Sequence, residues 1–251
     1  MESNRQIEWE IREGIGVLRI NNPPENYLYE PEFVPLKSLK TWTTDPILKG
    51  ILIHGKGKHF SAGGDLKRLF ELVSKDQNLE TKIAAGAAIL NHLTSTDLPL
   101  VAAIHGVCFG GGLEIALACH IRVAAENSLF ATPETSHGLL PGMGGTVRLP
   151  SVIGQTHALQ MILSGDMISA DEARRIGLID FIVPRKEVYA FGFNLLRKMT
   201  KTIQPQVIRS VVKALRNAHY LPLEQAIAEE TRIFCRLARE ESLRRLSESN
   251  T

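Results

Sequence analysis

Hydrophobic and polar positions along the chain fall into short blocks with two different periods. Residues 6–12 and 15–20 read as a pair of strands around Gly14. The Pro- and Asn-dense stretch NNPPENYLYEPEFVP must be loop, and LKSLKTWTTDP reads as a short amphipathic helix stopped at Asp45-Pro46. GILIHG (50–55) and LVAAIHG (100–106) are continuous apolar runs, the pattern of strands buried on both faces. Helical periods follow each of them: LKRLFELV after the turn KGKHFSAGGDL, and LEIALACHI after Phe109-Gly110-Gly111-Gly112. SKDQNLETK reads as a polar connector, IAAGAAILNHLTST as a helix, and RVAA and SLFATPE as short strands. From Gln155 onward the pattern is almost wholly helical: THALQMILSG, SADEARRIG, a short strand LIDFIVP, then two long amphipathic helices. Strands alternating with helices predict βαβ crossovers and a mainly parallel sheet.

Length and composition narrow the class. At 251 residues the chain is near the upper size for a single core, so one domain with a small appendage is expected. Apolar residues make up 44% and charged residues 22%, which suits a globular chain rather than a disordered or fibrous one. A net charge of +2 supplies no overall drive toward nucleic acid or an anionic membrane. Cys108, Cys119 and Cys235 are too dispersed for a disulfide framework. The start lacks the apolar core of a signal peptide, and no apolar run is long enough to span a bilayer. A cytoplasmic protein is expected, bound neither to membrane nor to nucleic acid.

Several familiar motifs fail on inspection. Gly50–Gly57 nearly matches a phosphate-binding loop, but it ends without Ser or Thr and its interior is an apolar strand. No GxGxxG follows a strand, and GxSxG is absent. Cys119-His120 lacks metal-ligand spacing, so no metal site is expected.

Two glycine turns remain, each between a buried strand and a helix: Ala62-Gly63-Gly64-Asp65 and Gly110-Gly111-Gly112. Glycine admits positive φ and close approach of a ligand to the backbone, and a helix start leaves N–H groups unpaired. Two such turns could aim one N–H each at a single oxygen and form an oxyanion hole, or they could simply be tight packing turns. Glu114 lies in the first turn of an otherwise apolar helix, and Glu134 follows LFATP at a strand end. Taken singly, each reads as a dipole-stabilised or solvated acid. Two carboxylates bracketing a water beside an oxyanion hole are what acid/base chemistry next to a thioester carbonyl needs.

These stretches resemble the crotonase (enoyl-CoA hydratase/isomerase) superfamily. The resemblance rests on Gly55–Leu66, on Ala103–Gly106 leading to Gly110–Glu114, on Phe130–Glu134 with Gly138–Thr146, and on Ser169–Ala173 with Gly177–Asp180. It implies an α/β chain, a crotonase-like ββα spiral core over residues 1–190 with a C-terminal helical trimerisation region over 191–251. It implies that the N–H groups of Ala62 and Gly111 hold the thioester oxygen, and that Ala62, Gly63, Gly64, Asp65 and Gly111 border the substrate. It further implies that Glu114 helps activate the water attacking Cβ while Glu134 delivers a proton to Cα.

The implied substrate is an acyl-CoA thioester, with coenzyme A entering as part of the substrate and no separate cofactor. The implied assembly is a homo-oligomer, a trimer or a dimer of trimers. Among the departures from the family pattern, the segment from Asn22 to Leu36 replaces a basic, alanine-rich stretch, and His137 stands where an apolar residue is usual. Lys56, Lys58, Lys67 and Arg68 could face the CoA phosphates, although solvated side chains are the simpler reading. The expected activity is reversible hydration of a 2-enoyl-CoA. The alternatives are another crotonase-type reaction, such as isomerisation or decarboxylation, and a non-catalytic binding protein of the same fold.

Overall fold

The structure is a computed structural model and describes residues 6–74 and 78–249. Two strands, β1 (Ile7–Arg12) and β2 (Ile15–Ile20), pair antiparallel across the Glu13-Gly14 turn. After the Pro-rich loop come α1 (Leu36–Thr43), β3 (Gly50–Gly55), α2 (Leu66–Ser74) and α3 (Leu79–Ser95). Then follow β4 (Leu100–Ile104), β5 (Val107–Phe109), α4 (Gly111–Leu117), β6 (Ile121–Ala125) and β7 (Leu129–Ala131). A 3-10 turn at Pro133–His137 leads to α5 (Gly145–Ser164), β8 (Ile168–Ser169), α6 (Ala170–Arg175) and β9 (Phe181–Val183). The chain continues with α7 (Val188–Thr200), α8 (Pro205–Tyr220) and α9 (Leu223–Ser249).

The main sheet runs β1-β2-β3-β4-β6-β9 and is parallel from β2 onward, as the continuous apolar runs predict. Its two faces are both covered, and the pleat sorts the side chains between them. Leu18, Ile51, Ile53, Leu100, Ala102 and Ile104 face the larger core with α1, α3 and α4. Ile15, Val17, Leu52, Val101, Ala103 and Val123 face the other way, onto Val188, Phe193 and Leu196 of α7. Full burial of a Leu or Ile side chain stabilises by about 1.5–3 kcal/mol, so both faces anchor the sheet.

A second, smaller sheet, β5-β7-β8, stands beside the first. Its strand β7 lies within the predicted strand SLFATPE, but the other two are too short for periodicity to reveal: Val107–Phe109 looks like part of a glycine turn, and Ile168–Ser169 like the start of a helix. Other local differences also have physical causes. Leu79–Lys82 belong to α3 rather than to the polar connector, because the Asn78 side chain accepts the Thr81 N–H and caps the helix start. Within that connector, residues 75–77 lie outside the described residues. Helix α5 begins well before Gln155 and is interrupted at Gly154, whose φ of 77° is non-helical. The tail holds three helices rather than two. The first, α7, packs on the sheet, whereas α9 extends past it and packs on α8.

Candidate active site

One main-chain contact assembles the site. Ser61 bridges to Cys108: Phe109 N–H donates to the Ser61 carbonyl at 3.0 Å and Ser61 N–H to the Val107 carbonyl at 3.2 Å. This lays the turn after β3 alongside β5, so the two glycine turns meet. A β-carbon built on Gly111 would stand 3.6 Å from the Gly64 nitrogen, and one built on Gly63 only 3.2 Å from the Gly111 nitrogen. The side chain of Asn26 supports this arrangement from the Pro-rich loop, donating to the carbonyls of Lys56 and His59 at 2.9 and 2.7 Å.

The donors of the first turn are then distinguishable by elimination. Ala62 N–H donates to the Glu25 carbonyl at 2.9 Å, and Gly63 N–H to Ser61 Oγ at 3.1 Å. Asp65 N–H donates to the Leu28 carbonyl at 3.2 Å. Gly64 N–H has no partner among the described residues, and neither has Gly111 N–H at the first position of α4. The Ala62 N–H is therefore consumed by the fold, so of the expected donors Ala62 and Gly111 only Gly111 keeps an unpartnered N–H among the described residues, and Gly64 offers the second. Sequence reasoning placed Gly64 beside the substrate but gave the donor role to Ala62, because all four turn residues look alike until the Pro-rich loop pairs with them.

Glu114 sits in the first turn of α4, which is buried along its whole length. The glutamate is 2% exposed. Its Oε1 accepts N–H groups from Met143 and Gly145, both at 2.7 Å. Burial raises its carboxyl above the ordinary 4.5, while those two N–H groups and the nearby Arg148 guanidinium pull it back. Gly145 lacks a side chain for a reason: a β-carbon there would lie 3.1 Å from that same oxygen. The glycine-rich Gly142–Gly145 segment is legible in the sequence, but its role as a clamp on Glu114 is not.

Glu134 comes from the 3-10 turn after β7. Its Oε2 is buried without a hydrogen-bond partner among the described residues. Burial first, and then the charge of Glu114, push its carboxyl up to about 7. Gly110, at φ 47°, makes room for it, since a β-carbon there would stand 2.7 Å from Glu134 Oε1.

Both acids line one cavity of about 990 Å³, together with Ala62, Gly64, Asp65 and Gly111. Gly63 stands just behind the wall with φ 91°, packed on the Phe109 carbonyl. Asp65 also accepts the Arg68 N–H at 3.1 Å and so caps α2. Most of the remaining wall is apolar, with Leu28, Leu66, Leu69, Ile83, Leu139 and Met143, and His137 and Lys67 add polar atoms. Arg68 is paired with Glu30 at 3.0 Å and Lys56 with Glu8 at 3.5 Å, which leaves Lys67 as the lysine of the group that borders the cavity. Among the described residues, no three His, Cys, Asp or Glu side chains cluster to hold a metal ion. The arrangement offers two polarising N–H groups and two carboxyls of different proton affinity around one partly enclosed space.

The enoyl-CoA hydratase/isomerase family model matches residues 10–250. The chain belongs to the enoyl-CoA hydratase/isomerase family. A protein named probable enoyl-CoA hydratase from Bacillus subtilis (strain 168) is 36% identical over 232 residues, covering 91% of this chain and 88% of that one. The fatty acid oxidation complex subunit alpha of Shewanella frigidimarina (strain NCIMB 400) is 36% identical over 215 residues. That match covers 83% of this chain but only 30% of the longer subunit. Among solved structures, an enoyl-CoA hydratase from Bacillus anthracis superposes with a TM-score of 0.84 at 26% identity, covering 97% of this chain and 96% of that one. Pseudomonas aeruginosa DspI superposes with a TM-score of 0.85 at 30% identity, covering 94% and 97%.

Family membership confirms the crotonase-type fold and makes this hydratase/isomerase chain an enzyme of that type. No helix among the described residues is long and apolar enough to cross a membrane. Cys108 and Cys119 are buried, and burial raises both thiols, Cys119 to about 12, so they stay protonated.

Proposed function

We propose that the chain catalyses the reversible hydration of a 2-enoyl-CoA to a 3-hydroxyacyl-CoA. The observation that carries this reading is the presence of two carboxyls, Glu114 and Glu134, in one cavity beside the unpartnered N–H groups of Gly64 and Gly111. The N–H pair receives the thioester oxygen and stabilises the enolate as charge develops there, an effect worth about 3–4 kcal/mol per donor in comparable sites. Glu114, with Oε1 clamped, keeps Oε2 for the water and takes its proton as the oxygen adds to Cβ. Glu134, its carboxyl pushed up to about 7, gives a proton to Cα, and the proton taken by Glu114 passes to solvent while Glu134 regains one before the next turnover. In the reverse direction the roles exchange.

The apolar wall suits an acyl chain, and coenzyme A enters as part of the substrate. The exposed apolar positions Val211, Leu215, Leu223, Ile227 and Phe234 of α8 and α9 support a homo-oligomer, a trimer or a dimer of trimers, built through the C-terminal helices. Sedimentation at micromolar concentration giving a stable monomer would contradict that assembly.

The deciding test follows the enoyl absorbance of 2-enoyl-CoA substrates with the wild-type enzyme and with Glu114→Gln. Loss of absorbance in the wild type and its abolition in the variant are expected. Wild-type rates in Glu114→Gln would sink the assignment. Turnover of 3-enoyl-CoA without consumption of 2-enoyl-CoA would replace hydration by isomerisation.

A further inference from the structure

We propose that Arg148 is a positioning residue for Glu114, holding the Met143–Gly145 segment whose two N–H groups fix the carboxylate. The inference rests on the reading of Glu114 as the group that activates water.

The hydrogen-bond chain runs through three helices. Arg148, on α5, donates from Nη1 to the Met143 carbonyl at 2.8 Å and from Nη2 to Asn91 Oδ1 on α3 at 2.6 Å. The Met143 N–H, on the other side of the same residue, donates to Glu114 Oε1 on α4. Arg148 thus grips the residue that grips the carboxylate. It does not line the cavity, so it acts through the loop and not on the substrate.

The sequence around it is shaped for this grip. Gly144 has φ 105°, and a β-carbon there would overlap Arg148 Nη1. The guanidinium therefore occupies the space a side chain would take, and it braces a segment in which three of the four residues from 142 to 145 are glycines. A planar fork serves two acceptors held apart by the protein, which a lysine ammonium on a flexible stem cannot match. Burial disfavours the Arg148 charge, and Glu114 from α4 and Tyr220 from α8 are the groups that favour it. Glu114 in turn faces Arg148, and across the cavity it faces Glu134. The cation is kept where it both orders the clamp and helps the Glu114 carboxylate remain ionised.

The test measures kcat, KM and the pH profile of 2-enoyl-CoA hydration for the full chain and for Arg148→Met, Arg148→Lys and Asn91→Ala. A reacting group displaced by about 1 Å loses on the order of 10²-fold. Arg148→Met is therefore expected to lower kcat by about 10- to 100-fold with KM changed less than about threefold, and to move the acid limb of kcat to higher pH. Arg148→Lys should restore the position of that limb through its charge, but only part of kcat. Asn91 is exposed, so Asn91→Ala keeps the fold and should lower kcat by about 3- to 10-fold.

Wild-type kcat and an unmoved limb in Arg148→Met overturn the proposal, as does a loss confined to KM. Should Arg148→Met fail to fold, wild-type kcat in both of the other variants overturns it. Glu114→Gln separates the two readings. If it is inactive while the Arg148 variants are normal, only the positioning role fails. If it is fully active, the reading of Glu114 fails.

Discussion

Glu114 and Glu134 face one cavity with unequal hold on a proton. Glu114 is pinned by two N–H groups and aided by a nearby cation, whereas the buried Oε2 of Glu134 has no partner among the described residues. The charge of Glu114 adds to burial in holding the proton on Glu134. Environments that push two carboxyls apart in this way divide base and acid roles between them.

The pH dependence follows from that division. Hydration needs Glu134 protonated and Glu114 ionised. Activity should fall as pH rises through about 7, where Glu134 releases its proton, and should fall again on the acid side as Glu114 becomes protonated. The limbs belong to the pair, because the groups interact. A kcat/KM profile measured from about pH 5 to 9 checks this, and a flat profile through neutrality contradicts it.

Stability should move in the opposite sense to charge at Glu134. Its folded value of about 7 lies above the ordinary 4.5, so the native state binds the proton more tightly than the unfolded chain. Stability is unaffected below the unfolded value and falls as pH rises through the window from 4.5 to about 7. Glu134→Gln removes the buried charge. It should raise stability at pH 8 by about 2 kcal/mol, or roughly 4–8 °C in Tm, and leave it unchanged near pH 4. Calorimetry at both pH values reads the difference. No gain at pH 8 would mean that Glu134 is better solvated than its buried oxygen indicates.

Two glycine substitutions separate room for Glu134 from room for a ligand. Gly110→Ala places a methyl against Glu134 Oε1 at a positive φ, so it should displace the acid and lower kcat by about 10²-fold, with a stability loss of about 1–2 kcal/mol. Gly64→Ala meets no protein atom within 4 Å and keeps its N–H, so stability should hold within about 0.5 kcal/mol, while a methyl added to the cavity wall should show in KM rather than in kcat. Comparable rates in the two variants would remove the case for Gly110 as a spacer.

Glu114 and Glu134 should also fail as a unit. If one takes the proton of water while the other supplies Cα, Glu114→Gln and Glu134→Gln each abolish most hydration, and the double variant is little worse than either. Exchange of the Cα proton of a saturated acyl-CoA with deuterium needs no added water and should depend on Glu134 more than on Glu114. The reverse dependence would show that the roles are assigned the wrong way round.

What the sequence determined by itself was the frame and the chemical vocabulary. The continuous apolar runs at 50–55 and 100–106 carry the pattern of strands covered on both faces, and they hold β3 and β4 at the centre of the parallel sheet. A glutamate in the first turn of an apolar helix stands where the helix dipole favours a carboxylate, and Glu114 there is buried and hydrogen-bonded. Tertiary structure decided which groups meet. The short strand Val107–Phe109 carries too few residues for a period, yet its pairing with Ser61 is what joins the two glycine turns. The choice of Gly64 over Ala62 depends on Glu25, in a Pro-rich loop with no pattern of its own, taking the Ala62 N–H. The clamp on Glu114 joins residues about thirty positions apart, and the Arg148 grip reaches back to Asn91 on another helix. Local periodicity reports which face of an element is buried, whereas a hydrogen bond between distant segments depends on how the elements are stacked, and only the folded chain sets that.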